Sequence, residues 1–219
     1  MEGVVFLQSL AAVPEEIVPT GDLCLVDGRA GSLDYALRLR IPCTVRLLIH
    51  CELFANWRRS IAILLESAGA AVEIFSLVHG SGRQEPTLSL SLRHRAEETV
   101  SRCTLQSIGE DHCAVQIRTL VAVDCQAHSC QAQLCSRSLL LSPDSRVQVS
   151  PRMDIGSADA RCTHGATLGG PDPEQLFYFA SRGLDWDRAK ELLIAAAAAE
   201  ILGKIPTAGI GWKCGSHDF

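Results

Sequence analysis

The sequence predicts a mainly β protein: a core of short strands running to about residue 158, a small helical region over 159–203, and a tail over 204–219. Three observations carry this. Apolar and polar residues alternate with period two in stretches such as Thr87-Leu88-Ser89-Leu90-Ser91-Leu92, the pattern of a half-buried strand. Turn-forming groups, among them Gly80-Ser81-Gly82, Gly109-Glu110-Asp111 and Ser142-Pro143-Asp144, recur between such stretches. After Asp172 the pattern changes to capped, alanine-rich segments with helical spacing.

In chain order, Val45–Cys51 is apolar and β-compatible, whereas residues before it give no clear strand pattern. Ile61–Leu65 and Ala71–Val78 follow, divided by the turn around Gly69. Then come Thr87–Leu92, Thr99–Ser107, Ala114–Val123, Gln131–Leu141 and Arg146–Ile155. Regular short strands fit a sandwich, a barrel or a solenoid, and alternation alone does not choose among them. No fixed-period repeat is visible, so a solenoid would be an irregular one.

Next is Arg161-Cys162-Thr163-His164-Gly165, read as the end of a strand on which Cys162 and His164 point the same way. Glycines then turn the chain. Asp172 caps a first helix with Pro173 at its first position and Gln175 at the capping-box site, and Gly183 supplies a left-handed stop. Asp185 caps a second helix, Trp186–Leu202, ending at Gly203. Gly209, Gly211 and Gly215 suggest a loose tail.

Composition narrows the function. At 219 residues, 47% hydrophobic and 21% charged, the chain can bury a sizeable core. A net charge of −5 with no basic stripe argues against nucleic acid as a partner. The apolar start Met1–Leu7 has no positive flank, so no signal peptide is expected. The apolar run Leu192–Ala199, fenced by Glu191 and Glu200, is far short of a membrane span, and a cytoplasmic location is expected. Ten cysteines without CxxC pairs read mostly as small buried hydrophobes in a reducing compartment. No Ser-His-Asp order, phosphate loop or paired carboxylates stand out, so the chain reads as non-catalytic.

The segment from Arg161 through Tyr178 resembles the C-terminal signature of the SufB/SufD family, the paired scaffold subunits of the Suf iron–sulfur cluster assembly machine. The resemblance extends over residues 138–202. It takes in Ser138-Leu139-Leu140-Leu141-Ser142, Val147 to Ile155, and Phe177-Tyr178-Phe179-Ala180-Ser181-Arg182-Gly183-Leu184, with weaker echoes back to about residue 60, among them His94 followed by Thr99. It implies a right-handed parallel β-helix core, whose stacked rungs suit the abundant Ser, Ala, Cys, Val and Leu. SufB-type members carry a glutamate after the histidine, where this chain has Gly165, and a cluster-assembly cysteine at the position of Ser136. Both departures make the chain SufD-like, and the family's N-terminal helical region has no counterpart here, implying a shortened relative.

The resemblance further implies a SufB-type scaffold partner and a SufC-type ATPase docked on the C-terminal helices, around Trp186, Ala195 and Ala198. No permanently bound cofactor is expected; a cluster or iron passes transiently through the subunit interface. His164 is the first site candidate, because neutral imidazole can ligate iron or move protons near neutral pH. Cys162 is its companion, since thiolates are the usual cluster ligands, and on a strand their α-carbons are about 6.5 Å apart. Cys135 is a further candidate, one residue from Ser136 and so on the opposite strand face. Two other readings fit the same residues: a homodimeric metal-binding protein joining Cys162 and His164 from two copies, and a β-helix interaction module without assembly work.

Overall fold

A computed structural model of the protein describes residues 3–7, 14–28, 31–50, 56–204, 213–214 and 217–218. The strands are β1 (Gly3–Phe6), β2 (Glu16–Ile17), β3 (Leu23–Asp27), β4 (Leu33–Leu39), β5 (Thr44–His50), β6 (Arg58–Leu65), β7 (Ala71–Gly80), β8 (Thr87–His94), β9 (Val100–Gly109), β10 (Ala114–Val123), β11 (Gln131–Leu140), β12 (Arg146–Ile155) and β13 (Arg161–Gly169). Helices α1 (Pro173–Ser181) and α2 (Trp186–Leu202) follow, then the short antiparallel pair β14 (Lys213–Cys214) and β15 (His217–Asp218). Cys51 and most of the expected loose tail lie outside the described residues.

Successive strands alternate between two parallel sheets. The first has the order β1-β3-β5-β7-β9-β11-β13 and the second β12-β10-β8-β6-β4-β2. Two strands make one rung, and the whole is a β-solenoid of about five turns, the β-helix that the resemblance implies. Equivalent residues in the first sheet are spaced Leu23↔Val45, Thr44↔Ala71, Ala71↔Val100 and Val100↔Gln131. The turn length changes along the chain, so no sequence repeat is visible.

Each strand alternates inward and outward, and parallel pairing stacks like positions into columns. One column runs Leu25, Leu47, Ile74, Cys103, Leu134 and ends on His164; its neighbour runs Val45, Val72, Ser101, Ala132 and ends on Cys162. The core members of these columns are buried. Turns stack too. Gly69, Glu98 and Ser129, two residues before β7, β9 and β11, all have φ between 57° and 73°. Left-handed backbone is uncommon outside glycine. Here each rung repeats the corner of its neighbour, with Gly69 N–H donating to the Glu97 carbonyl and Glu98 N–H to that of His128.

Five cysteines, Cys24, Cys43, Cys103, Cys113 and Cys130, are buried. Burial pushes the Cys103 thiol up to about 12, so it is a packing group. His94 is buried at the end of β8, its Nδ1 2.8 Å from Thr99 Oγ1 and its Nε2 2.9 Å from Ser101 Oγ. Burial lowers its pKa from 6.5 to about 4. The unfolded chain gains a proton as pH falls through 6.5, but the folded chain resists until about 4. Stability held above pH 6.5 is therefore lost progressively down to about pH 4, by about 3 kcal/mol in total. Urea titrations across this range should show the loss, and His94→Gln should flatten it.

Helix α2 lies on the outer face of the first sheet. Leu193, Ile194 and Ile201 pack there against Val26, Leu48, Leu77 and Ile108. A buried polar contact fixes the helix start: the His79 imidazole donates from Nε2 to Glu110 Oε1, and Lys190 Nζ is 2.8 Å from Glu110 Oε2. Burial opposes ionisation of Glu110, but these two donors outweigh it and hold the carboxyl below its ordinary range. The N-cap residues and the left-handed stop are those the sequence predicts, while the capping-box contact expected at Gln175 is not among the bonds made by the described residues: Asp172 takes the N–H one residue earlier. Asp172 accepts from Glu174 N–H at 3.0 Å, Asp185 from Arg188 N–H at 2.9 Å, and Gly183 is left-handed.

Candidate functional site at the open end of the solenoid

Among the described residues β12 and β13 end their sheets, and no further rung covers their inward faces. Val147, Val149 and Met153 are therefore only half-buried, and Leu168 is 56% exposed. The same positions one rung earlier, such as Val115 and Ile117, are buried. Each end strand also presents an edge whose backbone donors and acceptors pair with no other strand among the described residues.

Cys162 and His164 sit on this end face, in register with inward-facing Ala132 and Leu134. They share one side of the strand, as the sequence predicts. Cys162 is half-buried over Cys130, and His164 is exposed. Burial, aided by proximity to Cys130, raises the Cys162 thiol pKa, so the group is protonated at neutral pH until a metal or a cation draws off its proton. Among the described residues no three His, Cys, Asp or Glu side chains come together as a metal centre. The pair thus offers two ligand atoms on an open surface, half of a tetrahedral set.

One expectation about this strand is corrected. β13 does not end at His164 but continues to Gly169, because Gly165 pairs in register with Cys135 as an ordinary strand residue. The turn comes at Gly170–Asp172. Cys135 is half-buried on the outward face, while Ser136 is buried inward, so Cys135 does not converge with the pair.

The helical candidates separate. Trp186 is exposed and Ala195 half-buried. Ala198 is 1% exposed and packs against the first sheet. The expectation that Ala198 faces outward is therefore corrected: a run of five alanines gives no sidedness, and burial follows Leu193, Ile194 and Ile201. Sequence reasoning did not mark Phe177 (76% exposed) and Tyr178 as surface groups. With Trp186 and Leu192 they leave an apolar helical surface uncovered. Their aromatic character was the available signal, but such residues are more often core. No helix among the described residues is long and apolar enough to cross a membrane.

Comparison with known proteins agrees with this architecture. Residues 54–197 match the SufBD core domain of the SUF system for FeS cluster assembly. An iron–sulfur cluster assembly SufBD family protein of Synechocystis is 30% identical over 157 residues, covering 70% of this chain and 34% of the relative. The iron–sulfur cluster assembly protein SufD of Escherichia coli is 31% identical over 119 residues, 54% of this chain and 28% of the relative. SufD of Bacillus subtilis is 25% identical over 135 residues, 62% and 31%. The matched stretch thus spans about a third or less of each relative. With the family core domain matched across most of the solenoid and into α2, the chain belongs to the SufB/SufD family of iron–sulfur cluster assembly proteins.

Proposed function

We propose that this chain is a SufD-like, non-catalytic scaffold subunit whose open solenoid end pairs with a SufB-type sister, with His164 and Cys162 facing the cluster under construction. The observation that carries this is the uncovered final rung, where two potential iron ligands stand among half-buried apolar residues and unpaired strand edges. A partner supplying a similar end would bury the apolar face, pair the edges and complete a ligand set that this chain only half provides. The iron or cluster is cargo here, not a resident cofactor. His164 is the stronger contributor, because imidazole binds iron or carries a proton without the deprotonation that the Cys162 thiol requires.

The exposed surface of α1 and α2 is the seat for a SufC-type ATPase. No phosphate loop stands out in the sequence, and in this reading the ATPase contributes mechanical work through these helices. The test residues there are Ala195 and the exposed Ala199. Ala195→Arg and Ala199→Arg should keep the fold, since arginine has good helix propensity, and weaken ATPase binding. Ala198→Arg should strip α2 from the sheet, because it buries a charge without a partner. Binding assays with circular dichroism as the folding control separate these outcomes.

The experiment for the whole reading is anaerobic co-expression with SufB-type and SufC-type subunits, followed by iron and sulfide analysis. Cluster content that depends on this chain supports it. Equal content without the chain overturns it. One metal per symmetric dimer of this chain alone would instead favour the homodimeric metal-binding reading.

A further inference from the structure

The outer face of the second sheet holds a feature that neither the open end nor the helices use. A trough of about 480 Å³ crosses β6, β8, β10 and β12. Its floor consists of two adjacent register rows: Ser60, Ser89, Arg118 and Ser150 in one, Ala62, Ser91, Leu120 and Arg152 in the other. The small residues on β6 and β8 leave the groove low, and the two arginines stand at its β10–β12 end. Arg58 and Arg146 lie on the same face and are exposed.

These arginines lack carboxylate partners among the described residues; Arg118 donates only to Gln116 Oε1 at 2.9 Å. Their neighbours differ. Arg93 is paired with Asp124 at 2.8 Å, and Arg38 with Glu16 and Glu66. Glu16, paired with Arg38, and the exposed Asp34 and Asp154 are the acidic groups on this outward face, and only the two aspartates are without an arginine partner among the described residues. Four unpaired arginines against two aspartates make a local positive field on a chain whose net charge is −5.

We propose that this trough docks an extended acidic segment of a partner protein. Four strands at about 4.8 Å spacing span about 14 Å, the length of roughly four extended residues. The apolar groups on the floor, Ala62 and Leu120, suit small aliphatic side chains, while Arg118 and Arg152 offer forked donors to carboxylates. A nucleic acid would need a basic surface larger than this one, and a bilayer would not enter a trough one chain wide.

The test is fluorescence anisotropy of a labelled hexaglutamate peptide with the full chain. Saturable binding that weakens with salt is expected, with at least a tenfold loss in the doubly reversed Arg118→Glu, Arg152→Glu variant. A control reversal on the other sheet, Arg102→Glu with Arg161→Glu, should change affinity less than twofold. If the double variant fails to fold, the single Arg118→Gln and Arg152→Gln variants are read in the same assay and should each weaken binding. No saturable binding at millimolar peptide, equal loss in the control, or tighter binding to a single-stranded oligonucleotide or to phosphatidylserine vesicles would overturn the proposal.

Discussion

His164→Ala should fold normally and fail in cluster assembly. The side chain is exposed on the last rung and has no hydrogen-bond partner among the described residues, so its removal should change stability by no more than about 0.5 kcal/mol. The functional loss should be much larger. Even outer-sphere partners of metal ligands cost about 10- to 100-fold in affinity or activity when removed, and a direct ligand or proton carrier should cost at least as much. The measurement is iron and sulfide loading of the co-expressed complex at matched protein abundance. Cys162→Ala should have the smaller effect, because its thiol is half-buried and held protonated. Normal loading by the His164→Ala complex would remove this residue from the site.

The largest expected stability effect lies inside the solenoid. Arg59 and Asp27 are both fully buried, with Nε 3.1 Å from Oδ2. Tyr35 donates its hydroxyl to the same carboxylate at 3.3 Å, and the guanidinium stands 5.8 Å from the Trp57 ring centre. Arg59→Met should destabilise the fold by about 3–5 kcal/mol, because it removes the cation from beside a fully buried carboxylate. Replacing both partners, Asp27→Leu with Arg59→Met, should recover much of that loss, since a buried pair exchanged for apolar groups is often neutral. Urea unfolding of the single and double variants checks this. A single variant within about 1 kcal/mol of the parent would mean that water or backbone groups satisfy Asp27.

Legibility followed the kind of information each element needed. From Ile61 onward, period-two alternation and turn residues locate the strands, because each has one face on a core and one toward solvent. The earlier strands β1 to β4 escaped. β2 has two residues, and β3 is buried over most of its length, so neither alternates. The solenoid itself was not readable from pattern, since its turn length drifts, and only the resemblance pointed to it. The Arg59–Asp27 pair was invisible because its members lie 32 positions apart and charged residues are expected outside. At the site, alternation placed Cys162 and His164 on one face and Cys135 on the other. Exposure of that face depends on where the stack of rungs stops. Ala198 failed for a related reason, as an all-alanine turn carries no amphipathic mark.

The most direct test of the central claim, that the open final rung is where a sister subunit pairs, is the native mass of the chain co-expressed with a SufB-type subunit, compared with Leu168→Asp. Leu168 is exposed on that rung, so the substitution should leave the isolated fold unchanged. The parent should appear as a one-to-one heterodimer and the variant as separated subunits. A heterodimer that survives Leu168→Asp undiminished, or a parent chain that never pairs, would contradict the account.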